Sequence, residues 1–208
     1  MTSDPTSPIP ERLARQLVFV RELDKLKGVV RRTQLIDRSR HENSAEHSWH
    51  LATMALTLGE YAPAGTDLAR AVELLLVHDV VEIDADDTFA FDVAANVDKS
   101  ARETAAAERL FGLLPDDMAH DLRACWEEFE AGETPEARFA NALDRLQPLM
   151  QNDAGNDGGS WRVHKVSRDA VLRRMEPIRL GAPGLWPVVL DAVARATAAG
   201  HLIDSAAS

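Results

Sequence analysis

Apolar side chains at Leu13, Leu17, Phe19, Val20, Leu23 and Leu26 repeat with a helical period over residues 12–27, and Gly28 stops it. A second helix is predicted over 44–60: Asn43-Ser44-Ala45-Glu46 offers an N-cap with Glu three residues on, and Leu51, Met54, Ala55 and Leu58 continue one face as far as Gly59. A third opens at Thr66 or Asp67 and runs through Leu68, Val72, Leu75 and Leu76 to Val81. It is apolar most of the way round, so it belongs at the centre of the fold. Residues 83–98 are acidic and without period, which predicts an irregular connection. Helical patterns return over 98–112, 116–130 and 135–151, the last with Thr134 as cap and Pro135 in its first turn. Residues 152–160 hold three glycines, two Asn and two Asp and read as a loop. Two further helices are predicted over 167–179 and 185–199. No stretch alternates with the period of a strand, so the fold class is all-α, with about eight helices.

The length, 208 residues, suits one domain rather than two. It is assigned to residues 11–200, between a flexible leader at 1–10 and a tail at 201–208. With 45% hydrophobic and 27% charged residues the chain is globular, and aromatics at 5% leave the core to aliphatic side chains. A single cysteine, Cys125, cannot close an internal disulfide, and no apolar run reaches the ~20 residues that span a bilayer. Both points favour a cytoplasmic protein with no membrane partner. The net charge of −11 makes duplex nucleic acid an unfavourable partner. That charge is unevenly spread: residues 11–40 carry nine Lys or Arg against four Asp or Glu. By itself such a segment reads as a solvated helix face.

Candidate chemistry gathers at His47 and at His78-Asp79, which interrupts the apolar run Leu74-Leu75-Leu76-Val77. An imidazole buried beside a carboxylate is costly unless something compensates, and a divalent cation that takes both as ligands does so. The rival account is a core histidine paired with its own neighbour. Glu82 follows His78 by four residues, one helical turn on, where it could reach a water on the ion. Asp144 lies on a ridge with Ala137 and Ala140, whose small side chains admit a close helix. Pro148 removes the amide that would bond the Asp144 carbonyl. A surface charge beside Arg145 is the competing reading of Asp144.

Four blocks in order resemble the HD-domain metal-dependent phosphohydrolases, and within them the 5′-deoxynucleotidase branch: Leu35-Ile36-Asp37-Arg38, Glu42-Asn43-Ser44-Ala45-Glu46-His47-Ser48, His78-Asp79-Val80-Val81-Glu82, and 137–144 ending in Asp144. The resemblance covers about residues 12–178. It implies an HD-domain helical bundle and one divalent metal held by His47, His78, Asp79 and Asp144, a set suited to Mn, Co, Fe, Ni or Zn. It further implies that Arg38 grips the substrate phosphate, with Arg31, Arg32 or Arg40 adding positive charge, and that Glu82 and Asp87 handle protons and the attacking water. The implied substrate is a small phosphate ester, a nucleoside 5′-monophosphate in deoxy form first, and the implied assembly is a homodimer.

Two positions depart from the branch. Ser39 stands where a large aromatic follows the phosphate-binding Arg, and Asp86 stands where Gly often precedes the second carboxylate. The first keeps a phosphodiesterase, or a phosphatase of another metabolite, as an alternative. A non-catalytic metal-stabilised nucleotide-binding module is a second alternative, against which Glu82 argues. His50, His120-Asp121, Trp161 and His164 are read as structural or solvated.

Overall fold

A computed structural model describes residues 9–88, 91, 97–155 and 157–204, so the first eight residues of the expected leader and the last four of the tail lie outside the described residues. The described chain is an all-α bundle with one small hairpin. Its elements are α1 (Glu11–Leu23), β1 (Val30–Gln34), β2 (His41–Asn43), α2 (Ser44–Thr57), α3 (Leu68–Val77), α4 (Glu82–Ala85), α5 (Lys99–Phe111) and α6 (Asp116–Ala131). There follow α7 (Pro135–Ala154), α8 (Gly159–Val163), α9 (Arg168–Arg174), α10 (Glu176–Gly181) and α11 (Trp186–Ala198).

The helix starts obey the local signals. Asn43 accepts from the Glu46 amide while the Glu46 side chain accepts from the Asn43 amide, a complete capping box. Asp67 caps α3, Thr134 caps α7 and Ser167 caps α9, each through its own side-chain oxygen.

Three expectations are corrected. Residues 30–43 form an antiparallel pair, with Val30 opposite Asn43 and Gln34 opposite His41. Its sequence, Val-Arg-Arg-Thr-Gln, has no apolar alternation because it faces a polar site rather than a core. The third helix ends at Val77 instead of Val81. Beyond it the amides of Val80, Glu82 and Ile83 bond the carbonyls of Val77, Asp79 and Val80, the tighter three-residue turn. The β-branched run Val77, Val80, Val81 and Ile83 favours that departure. Finally, residues 167–179 are two helices, since Pro177 lacks an amide and α10 starts afresh at Glu176.

Two apolar clusters result. The larger joins α2, α3, α7 and α9–α11 around Leu51, Leu75, Phe139, Leu143 and Ile178; the smaller joins α1, α5 and α6 with Val80, Val81 and Ala85 around Leu110 and Phe111. The segment from His78 to Glu82 lies in the seam between them. The helix expected to approach Ala137 and Ala140 is α10. A Cβ on Gly181 would lie 2.0 Å from the Arg138 carbonyl oxygen, so only glycine permits that distance. Among the described residues no helix is long and apolar enough to cross a membrane.

Gly181→Ala is therefore expected to destabilise the fold by about 2–3 kcal/mol, seen as a fall of about 5–10 °C in melting temperature. An unchanged melting curve would show that α10 can shift freely on α7.

Candidate metal centre and its cavity

His47 is fully buried on α2. Its Nδ1 lies 3.2 Å from Gln147 Oε1, and the Gln147 amide nitrogen donates to Glu42 Oε1 at 2.6 Å. That donation fixes which end of the Gln147 amide faces His47, so Nδ1 carries the proton and Nε2 presents its lone pair. Nε2 faces Asp144 Oδ1 at 3.0 Å and Asp79 Oδ2 at 3.9 Å. His78 repeats the arrangement. Its Nδ1 donates to the Leu75 carbonyl at 2.9 Å, its ring packs on Phe129, and its Nε2 sits 3.0 Å from Asp79 Oδ1 without forming a hydrogen bond.

In the neutral rings two buried nitrogen lone pairs thus point at carboxylate oxygens; His47 resolves its conflict by taking a proton and bonding Asp144, while His78 Nε2 stays without a hydrogen-bond partner. One ligand atom each from His47, His78 and Asp144 falls within 4.8 Å of the others, and Asp79 reaches both imidazoles. This donor set fits a divalent cation, which removes the lone-pair conflict at every contact. Burial and Arg31 push the His47 imidazole down, yet Asp144, Glu42 and Asp79 carry it up to about 9. A proton is the cation these side chains take when no other is supplied. Burial lowers His78 and would raise Asp144, but Arg145, His47 and His78 hold the Asp144 carboxyl well below the usual range.

A cavity of about 260 Å³ opens beside this group, lined by Glu82, Asp87, Phe129, Arg145, Trp161 and Arg174 among others. Glu82 is buried and accepts from the Ser44 hydroxyl at 2.5 Å; burial, Asp79 and Asp87 raise its pKa well above the ordinary value. Asp87 is also raised, by burial first and then by Asp79. The preceding Asp86 adopts φ 60° and ψ 155°, a conformation natural to glycine. That strained turn is what carries the chain from α4 into the cavity wall at Asp87.

His47, His78, Asp79, Asp144, Glu82 and Asp87 thus come together, whereas Arg38 does not line the cavity. Arg38 has φ 62°, pairs with Asp157 at 3.1 Å and lies against Gly155 and Gly159. The neighbouring Ser39 is bound to Asp37, away from the cavity. Arg40 is spent on Glu46 at the surface. The arginine at the centre is Arg31 on β1, whose Nη1 lies 2.9 Å from Asp79, 3.7 Å from Asp87 and 4.0 Å from Glu82, with Nε 3.8 Å from Glu42. Burial opposes its charge, but Asp79, Glu82 and Asp87 raise its pKa. Glu42, Ser44 and Gln147 join it as residues whose roles sequence did not disclose. His50 reaches Gln147 rather than the centre, and His120 is exposed.

Residues 23–186 match the family model of the HD domain. The 5′-deoxynucleotidase HDDC2 of Bos taurus is 33% identical over 154 residues, covering 72% of this chain and 73% of its own. The human protein of that name is 33% identical over 141 residues, covering 66% and 67%. A crystal structure described as a predicted metal-dependent phosphohydrolase from Magnetospirillum magnetotacticum MS-1 superimposes with a TM-score of 0.87 at 49% identity, over 93% of this chain and 99% of that one.

Two outcomes follow from the geometry. Gln147→Leu frees the His47 ring to turn and should weaken divalent-metal affinity about 10- to 100-fold in a competition titration against a chelating dye. Asp86→Gly relieves the backbone strain and should raise stability by about 1 kcal/mol, or about 2–4 °C in melting temperature; a loss of stability would contradict the strain.

Proposed function

The chain belongs to the HD-domain family and is a metal-dependent phosphohydrolase, and from that premise we propose that it hydrolyses nucleoside 5′-monophosphates, deoxy forms foremost, to nucleoside and phosphate. The relatives named as 5′-deoxynucleotidases support the substrate class. The observation that carries the site is the pair of buried imidazole Nε2 atoms facing Asp79 and Asp144 beside a cavity that also holds Glu82.

In this reading His47, His78, Asp79 and Asp144 hold one divalent ion. Bound there, the ion supplies Lewis-acid chemistry, lowering the pKa of a water and offsetting charge on the phosphoryl oxygens. Arg31, anchored through Asp79, keeps four carboxylates from repelling one another and holds a positive charge towards the ester. Glu82, oriented by the Ser44 hydroxyl, takes the proton of the attacking water as the water oxygen bonds to phosphorus. The bond from phosphorus to the 5′ oxygen breaks, and Asp87 gives that oxygen a proton. Burial raises the pKa of both carboxyl groups, which makes each a better proton carrier than an ordinary exposed carboxylate. Phe129, Trp161 and Met175 form an apolar wall of the cavity against which a nucleoside can pack.

Release of inorganic phosphate is to be measured over ribo- and deoxyribonucleoside monophosphates, with a bis-ester alongside and divalent metals supplied one at a time. Turnover of the bis-ester alone would overturn the reading. Glu82→Gln should leave metal content at the wild-type value and lower kcat by about 100- to 1,000-fold with little change in KM. Undiminished kcat would remove Glu82 from the reaction.

A further inference from the structure

The cations that line the cavity are not all accounted for by its carboxylates. Arg31 is bound by Asp79, Lys99 by Glu103 at 2.7 Å, and Arg145 by the neighbouring Asp144, while Arg32 at the rim is exposed to water. Arg174, the last residue of α9, lines the same cavity and is half-buried, yet it makes no hydrogen bond or ion pair with any described residue. Beside it, Arg145 keeps a buried Nε with no hydrogen-bond partner. Burial and the charge of Arg145 push the Arg174 guanidinium down to about 10, with Arg31 adding to the repulsion and Asp144 and Asp87 offsetting part of it. A fold that places a cation against another cation, half out of water and without a partner, loses stability by doing so. Such an arrangement makes physical sense where an anion from outside supplies the missing partner.

The charge of the ester decides which anion fits. A phosphate monoester carries close to two negative charges near neutrality and a diester carries one. The two charges of a divalent ion held by His47, His78, Asp79 and Asp144 are already offset by the two carboxylates, so the extra negative charge of a monoester needs a cation of its own. We propose that Arg174, together with the free Nε of Arg145, binds the second negative charge of the phosphoryl group and so makes the cavity select monoesters over diesters, an inference that rests on the monoesterase reading above. A guanidinium suits this task because its fork donates to two oxygens at once, which an ammonium does not copy.

The test compares metal-loaded wild type with Arg174→Met, which keeps length and removes charge, and Arg174→Lys, which keeps charge and removes the fork. Calorimetric titration with inorganic phosphate should show affinity weakened about 10- to 100-fold in Arg174→Met and by less in Arg174→Lys. The Arg174→Met melting temperature without phosphate should hold or rise by about 2 °C, because a repelled cation is gone; an arginine with a structural role would lower it. The ratio of kcat/KM for p-nitrophenyl phosphate over bis(p-nitrophenyl) phosphate should fall at least about tenfold. Unchanged phosphate affinity, or a lower melting temperature with phosphate binding intact, overturns the proposal, as does an equal loss on both esters. Phosphate binding that depends on Arg174 in a wild type that hydrolyses neither ester upholds the anion site and overturns the monoesterase reading instead.

Discussion

Two imidazole Nε2 atoms, each left with a lone pair in the neutral ring by a hydrogen bond on the far side, face carboxylate oxygens at 3.0 Å in the protein interior. Lone pairs facing lone pairs at that distance repel, and the low-dielectric surroundings magnify the effect. Nothing within the side chains relieves it except a proton, which His47 accordingly takes up with its pKa raised to about 9. A divalent cation relieves His47, His78, Asp79 and Asp144 together. The rest of the structure can be understood as the means of holding that conflict in place.

The means are distributed across the whole chain. Glu42 on β2 orients Gln147 on α7, which orients His47 on α2; the Leu75 carbonyl on α3 orients His78. The hairpin, α2 and α7 must all dock before the His47 ring is fixed, whereas the end of α3 orients His78 through a local contact. The seam between the two apolar clusters suits this purpose: Leu74 and Leu75 anchor one side, Val80 and Val81 the other, and the polar residues between them are shielded without being packed into either core. Arg31 is essential to that seam, since Asp79, Glu82, Asp87 and Glu42 would otherwise repel one another with only water and a metal to separate them.

Local codes were readable and long-range ones were not. The capping box at Asn43 and Glu46, the cap at Thr134 and the apolar periods of α2, α6 and α7 are written in neighbouring residues, and they placed His47 and Asp144 on helices correctly. The same periods carried α3 too far, because periodicity does not register the β-branched run that loosens the helix at Val77. Glu42 and Gln147 stand 105 positions apart and Arg31 and Asp79 stand 48 apart, so no local pattern announces either pair. Arg38 is the instructive case. The resemblance put Arg38 on the substrate phosphate, whereas its positive φ accompanies a guanidinium that lies against Asp157, Gly155 and Gly159, outside the residues that line the cavity.

Charge, finally, is used in two different ways along the basic segment of residues 11–40. Arg12, Arg15, Lys25, Lys27 and Arg40 each face an acidic partner at the surface, the arrangement expected of a solvated face. Only Arg31 and Arg32 line the cavity, and of these Arg31 is already held by carboxylates. The positive charge that faces the site from the other side comes from Arg145 and Arg174, far along the chain. A protein with net charge −11 repels an anion at long range, within the limit set by a screening length of about 8 Å at physiological salt. Capture of a phosphate ester must therefore depend on short-range, preorganised cations in a sheltered cavity rather than on the field of the whole molecule, and that favours small ligands able to enter over extended ones that meet the acidic surface.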